Sequence, residues 1–273
     1  MSKKAIFGLT ITIFLIVATS VLFGVVFCLR DQTVKIIGDS TISISRDDIV
    51  ATAGFKDGDS IFMLDKDQAI KNIEAKFSHI KVVQIKTLSV TKIQFCIRAR
   101  HEMFYVDIND KYYVLDEDLK VLDVLDKTSE EPIDLIKIET DNINISSTTM
   151  KCDFVGTKAQ QKATYNLFVA MTTVITEGNG IDEAYLSRED MKNRLKSIKF
   201  EKIGAINKLA ISTSYGVELD IENPQSEMQK KINICFSAIK QFVEDANDKE
   251  KSGTIKIYYN ENNELTSVYI PQT

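Results

Sequence analysis

No tryptophan occurs in this chain, and proline (three), cysteine (four) and histidine (two) are all scarce. Each shortage removes a class of chemistry. The four cysteines are too few and too scattered for a disulfide framework, and no CxxC pair offers a zinc or redox site. Cys96, Cys152 and Cys235 read instead as small buried hydrophobes. His79 and His101 lie at a strand entrance and a strand exit, and neither has His or Glu at zinc spacing. No GxSxG, P-loop, HExxH or GxGxxG sequence is present. Carboxylates are plentiful, but only the fold could assemble them into an acid pair. The chain is expected to be no enzyme and to use no metal or cofactor.

Charge is missing altogether from one stretch, the 25 residues from Ala5 to Leu29. A helix of that length reaches about 38 Å, more than the roughly 30 Å of a bilayer core. The run closes on Val25, Val26, Phe27, Cys28 and Leu29, too bulky for a cleavage site. It predicts a retained transmembrane anchor over 5–29, with the lipid bilayer as a partner. Lys3 and Lys4 keep residues 1–4 cytoplasmic, which places the remainder outside the cell membrane as a single-pass protein. Beyond residue 30 there are 31 basic and 39 acidic residues, a balance of −8. That balance argues against nucleic acid or anionic lipid as the main ligand.

Past the uncharged run the chain becomes patterned. Val34 to Gly38 reads as a short apolar strand ended by glycine. Ser45 and Asp48 have capping-box spacing and open a short helix through Ile49 and Val50 that stops at Gly54. Gly58, Asp59 and Ser60 form a turn, Ile61 to Leu64 is a brief apolar stretch, and Asp65 caps a second helix. In that helix Ala69, Ile70, Ile73 and Phe77 recur at helical spacing. Two strands come next, His79 to Thr87 and Thr91 to Arg100, the second alternating Ile93, Phe95 and Ile97 with polar neighbours. Two helices on one face of a three-stranded sheet is the economical packing.

This order resembles a POTRA (polypeptide-transport-associated) domain. With Tyr112 to Asp116 and Val121-Leu122 downstream, the chain resembles the FtsQ/DivIB family of bacterial division proteins. The positions that carry the likeness are Val34, Gly38, Ile49, Gly54, Gly58 to Phe62, Asp65, Ala69, Ile73, Phe77, Ile80, Val83 and Arg100. Three family prolines are replaced: Ser78 stands after the second helix, none lies between residues 88 and 91, and Ala99-Arg100-His101 closes the module. The implied organisation is α+β: tail 1–4, anchor 5–29, POTRA-like domain 33–101 and a mixed β domain with helices over 102–273.

The distal part reads as short strands from Phe104 to Val124, interrupted by the turn Asn109-Asp110 and by Asp116, Glu117 and Asp118. Leu119 and Lys120 break calcium-loop spacing, so the acidic turn is expected to be solvated. Residues 127–156 form an irregular connector with strands. A helix runs from about Ala159 to Thr176 and ends at Gly178, Asn179 and Gly180; Ser187 starts a shorter one. A hairpin surrounds Ser214, Tyr215 and Gly216, a helix spans about Ser226 to Ala246, and two last strands flank Asn260 to Asn263. Met63, Met171 and Met228 sit on apolar stripes and read as core.

The resemblance implies a membrane-anchored divisome scaffold that docks other septal proteins and does no catalysis. The expected partner site is the final strand, Leu265, Thr266, Ser267, Val268 and Tyr269, with Tyr258 and Tyr259 on the strand before it. A last strand with one free edge offers unpaired backbone groups to an extended segment. The implied partner is a small coiled-coil protein of the FtsB/DivIC type, paired with an FtsL-type protein; other septal proteins would use the POTRA-like module. The alternatives are an anchored extracytoplasmic sensor or ligand-binding module, favoured by a ligand-sized apolar pocket, and a hydrolase, favoured by converging carboxylates.

Overall fold

The uncharged run at the amino terminus folds as helix α1, Lys3–Val26. The computed structural model describes residues 3–38, 42–128, 130–139, 143, 153–172, 188–201, 208–239 and 252–271. Among the described residues no helix is long and apolar enough to cross a membrane. The anchor expected over 5–29, the bilayer as a partner and the single-pass extracytoplasmic placement are corrected on that finding. The α+β character stands, in two compact units, Met1–Arg100 and His101–Thr273.

The first unit contains β1 (Asp31–Ile36), α2 (Arg46–Ala53), α3 (Lys66–Lys76), β2 (Ile80–Ser89) and β3 (Lys92–Ala99). The sheet order is β1-β3-β2, with β1 parallel and β2 antiparallel to β3. Ser45 caps α2 by accepting the Asp47 N–H (3.2 Å), Asp47 and Asp48 suit the positive helix end, and Gly54 stops it at φ +80°. Asp65 caps α3 by accepting the Gln68 N–H at 2.9 Å. Ile49, Ala69 and Ile73 bury against Ile93, Phe95 and Ile97, the helix-facing residues of β3. Met63 departs from expectation: it is 84% exposed, because the Ile61 to Leu64 stretch is a turn that buries only Ile61.

One polar contact ties this unit together. Arg100 and Glu74 form an ion pair at 3.0 Å with side chains 2% and 14% exposed. The same carboxylate accepts the Val82 N–H at 2.9 Å, and the Arg100 Nε donates to the Ile80 carbonyl at 3.2 Å. The pair therefore bolts α3 to the first residues of β2.

The second unit is built on one sheet. Its strands are β4 (Phe104–Ile108), β5 (Lys111–Leu115), β6 (Val121–Asp126), β7 (Ile136–Ile138), β8 (Leu195–Phe200), β9 (Lys208–Thr213), β10 (Val217–Glu222), β11 (Gly253–Tyr259) and β12 (Leu265–Pro271). They run in the order β12-β11-β10-β9-β8-β7-β4-β5-β6. Helices α4 (Lys158–Thr172), α5 (Arg188–Arg194) and α6 (Met228–Ile239) supply Leu167, Met171, Met191, Ile232 and Cys235 to a core shared with Ile198, Ile211, Leu219, Ile255 and Ile257. Burial pushes the Cys235 thiol up to about 12. Met171 and Met228 lie in this core. The glycine stop at Gly178 to Gly180, the Ser187 cap, Cys152, most of 140–152 and the stretch 240–246 lie outside the described residues.

The acidic turn is not solvated. Asp116 and Glu117 are buried, and one oxygen of Asp116 accepts the N–H groups of Asp118 and Lys120, each at 2.9 Å. The carboxylate serves a backbone that must turn sharply, with Leu119 at φ +61°.

Arg100→Met is expected to cost about 3 kcal/mol, the lower end for breaking a buried pair, because Glu74 keeps the Val82 N–H. Urea unfolding of the full chain followed by circular dichroism measures it. An unchanged midpoint would show that the pair holds nothing.

Candidate functional site

A β-sheet has two rims, and what covers each rim decides where another chain could add. In the second unit the β6 rim is partly closed: Val121 donates to Asp153 (2.7 Å) and Val155 to Leu119 (2.8 Å). In the first unit the β2 rim is interrupted by irregularities between Val82 and Gln84 and between Thr87 and Ser89. The rim formed by β12 has neither feature. Among the described residues no strand pairs with its outer side, and its ladder to β11 is regular from Leu265 to Pro271.

The β11–β12 hairpin is set by its turn. Asn260 donates its N–H to the Glu264 carbonyl (3.0 Å), and its side-chain oxygen accepts the N–H groups of Asn262 (3.0 Å) and Glu264 (2.9 Å). That bond fixes the parity of the ladder. Thr266, Val268 and Ile270 exchange bonds with Tyr258, Lys256 and Thr254, while Leu265 and Ser267 turn their N–H and C=O groups outward. Pro271, which has no N–H, falls on an outward position.

The two faces of β12 differ. Leu265 and Tyr269 pack onto the core, opposite Tyr259 and Ile255, and Ser267 lies between them. Thr266, Val268 and Ile270 lie on the other face, with Val268 39% and Ile270 50% exposed. Tyr258 shares that face beside Thr266, its ring 5.6 Å from the Lys256 ammonium. The structure thus brings five of the seven expected residues onto one strand and puts Tyr258 and Tyr259 on opposite faces of its neighbour. No residue from 265 to 271 carries a charge.

Tyr259 is held by α6. Its hydroxyl donates to the Glu227 carboxylate, which raises the Tyr259 pKa; Lys230 (2.5 Å) and then Tyr259 lower that of Glu227. Sequence reasoning missed Lys231 here. Its ammonium donates to the carbonyls of Glu222 (2.8 Å) and Asn223 (2.7 Å) and lies 5.7 Å from the Tyr259 ring. Burial lowers its pKa against the opposing pull of Glu227 and Glu222. The signal was available, since Lys231 falls on the inward stripe with Met228, Ile232 and Cys235.

Two other places gather polar side chains. A cleft of about 430 Å³ lies between α2 and α3, but Asp59 and Asp65 on its wall accept the backbone N–H groups of Lys56 (2.8 Å) and Gln68 (2.9 Å). On the second sheet, the Tyr105 hydroxyl donates to Glu131 (2.8 Å), and burial, then Glu131, raises its pKa above the ordinary tyrosine value. Glu131 is lowered by Tyr105 first and Lys137 next, so the trio closes a small apolar patch of Tyr105, Tyr112, Val114 and Leu135. No group of three or more His, Cys, Asp or Glu that could hold a metal occurs among the described residues.

Gly253 governs how closely β12 seats. A Cβ there would meet the Ile270 carbonyl oxygen at 2.6 Å and the Tyr269 ring at 2.7 Å. Gly253→Ala is expected to push the end of β12 away at a cost of about 1–3 kcal/mol, the range for overpacking. Amide hydrogen exchange reads it: Val268 and Ile270 should lose protection while Ile211 and Leu219 keep theirs. Unaltered protection would mean that the ring moves instead.

Comparison with protein-family models finds no match for this chain, and comparison with characterised proteins finds none either.

Proposed function

We propose that this chain is a non-catalytic docking protein of the bacterial division machinery, a divisome scaffold of the FtsQ/DivIB type. Its partner site is the β12 rim, which receives an extended segment of a small coiled-coil protein of the FtsB/DivIC type, itself paired with an FtsL-type protein. The observation that carries this reading is the outward N–H and C=O groups of Leu265 and Ser267 on a terminal strand that no described strand covers. An added strand would satisfy those groups, and its alternate side chains would meet Leu265 and Tyr269 on one face and Val268 and Ile270 on the other. The succession β1, α2, α3, β2, β3 in the first unit supports the same reading through the resemblance.

Ladder parity makes the test specific. The Ser267 N–H points outward, so Ser267→Pro removes a donor from the rim and leaves the β11 ladder whole. The Val268 N–H belongs to the Lys256 pair, so Val268→Pro breaks the ladder itself. Ser267→Pro should keep its thermal transition and fail to retain the coiled-coil partner in a pull-down, whereas Val268→Pro should detach the strand and melt lower. A folded Ser267→Pro variant that retains the partner would remove this rim as the site.

A further inference from the structure

Net charge is divided between the two units. The first, residues 1–100, holds fourteen basic and nine acidic side chains, or +5; the second holds twenty and thirty, or −10. Lys3, Lys4 and Arg30 precede the sheet, and several of the remaining cations share one of its faces. The helices α2 and α3 cover one face of the first sheet, and strand register identifies the residues on the other. Lys35 stands beside Cys96, Lys81 opposite Arg98, Lys86 opposite Gln94, and Lys92 beside Asp31. Asp31 is the only carboxylate in that set, and it pairs with Lys92 at 2.6 Å. Lys35 and Lys86 are exposed and form no ion pair among the described residues.

The chemistry around this face selects the kind of partner. No aromatic side chain lies among those register positions, so bases of a single-stranded nucleic acid would find nothing to stack on. Exposed apolar side chains lie close by instead, Val83 (45%) and Leu88 (48%) on β2 and Val90 (45%) in the turn to β3. Cations beside apolar side chains fit a segment that is itself acidic and apolar by turns. We propose that the open face of the β1-β3-β2 sheet is a second docking surface, and that its occupant is an acidic, amphipathic segment of a protein partner. The surface is independent of the β12 rim; it rests on the docking reading and gives the docking expected of the first unit a location and an occupant.

The test uses the full chain and three labelled probes, with anisotropy or co-sedimentation as the readout. They are a 20-residue Glu/Leu peptide of helical periodicity, an oligothymidylate of the same length, and vesicles of phosphatidylglycerol and phosphatidylcholine. The peptide should bind, and the double variant Lys35→Glu with Lys86→Glu should weaken it by about tenfold, as should raised salt. Lys35→Gln with Lys86→Gln should fall between, with the thermal transition unchanged in both, and Ser267→Pro should have no effect. Failure of the peptide to bind, or equal binding by the charge-reversed chain, overturns the proposal. Tighter binding of the oligothymidylate or the vesicles overturns the choice of a protein partner. Loss of the peptide on Ser267→Pro would assign it to the β12 rim and remove this surface.

Discussion

Backbone hydrogen bonding cannot stop at the last strand of an open sheet; it must be covered, blunted or completed from outside. The second unit is arranged around that constraint. The nine described strands leave two rims, and the β6 rim is partly closed by Asp153 and Val155. Chain order then dictates which strand occupies the other. Because β11 lies parallel to β10, the chain must cross the sheet between them, and α6 makes that crossing. The β11–β12 hairpin can then add only on the far side of β11, so the last strand becomes the rim.

That crossing depends on a lysine in an unusual place. The β10 strand ends in carbonyls, at Glu222 and Asn223, that lie under α6 and need donors. The Lys231 ammonium reaches both, and its stem occupies the inward stripe of α6 beside apolar neighbours. Glu227, held by Lys230, takes the Tyr259 hydroxyl and so links the start of α6 to the end of β11. Polar contacts at one corner thereby fix the strand against which β12 is registered. Seating at the other end is steric, since only the missing Cβ of Gly253 admits the Tyr269 ring.

Legibility in the sequence followed locality. The caps at Ser45 and Asp65, the stop at Gly54, the alternation in β3 and the hairpin around Gly216 are set by residues a few positions apart, and each was readable. Features that depend on distant residues were not. Arg100 gave no sign of meeting Glu74, Asp116 and Glu117 looked solvated because nothing nearby marks them as buried, and Met63 looked like core because a turn residue can carry a stripe residue's side chain. The β8 strand was missed although Ile198, Lys199 and Phe200 alternate, because a helix start precedes it. The β12 strand was legible as a strand. Its ladder parity, which decides which proline is tolerated, required the Asn260 turn bond.

Composition taken over the whole chain misleads in one respect. The balance of −8 beyond residue 30 argues against anionic ligands, yet it is the sum of +2 over residues 31–100 and −10 over the second unit. Electrostatic recognition acts over about 8–10 Å at physiological salt, so a partner senses the face it approaches, not the chain average. The two candidate surfaces therefore select by different physics. The β12 rim has no charged side chain from 265 to 271, so backbone pairing and side-chain shape must supply its specificity, with little dependence on salt. The open face of the first sheet offers no free backbone along its central strand, which is paired on both sides, so its selection rests on side-chain charge and weakens as salt rises. The two surfaces therefore do not compete for the same chemistry.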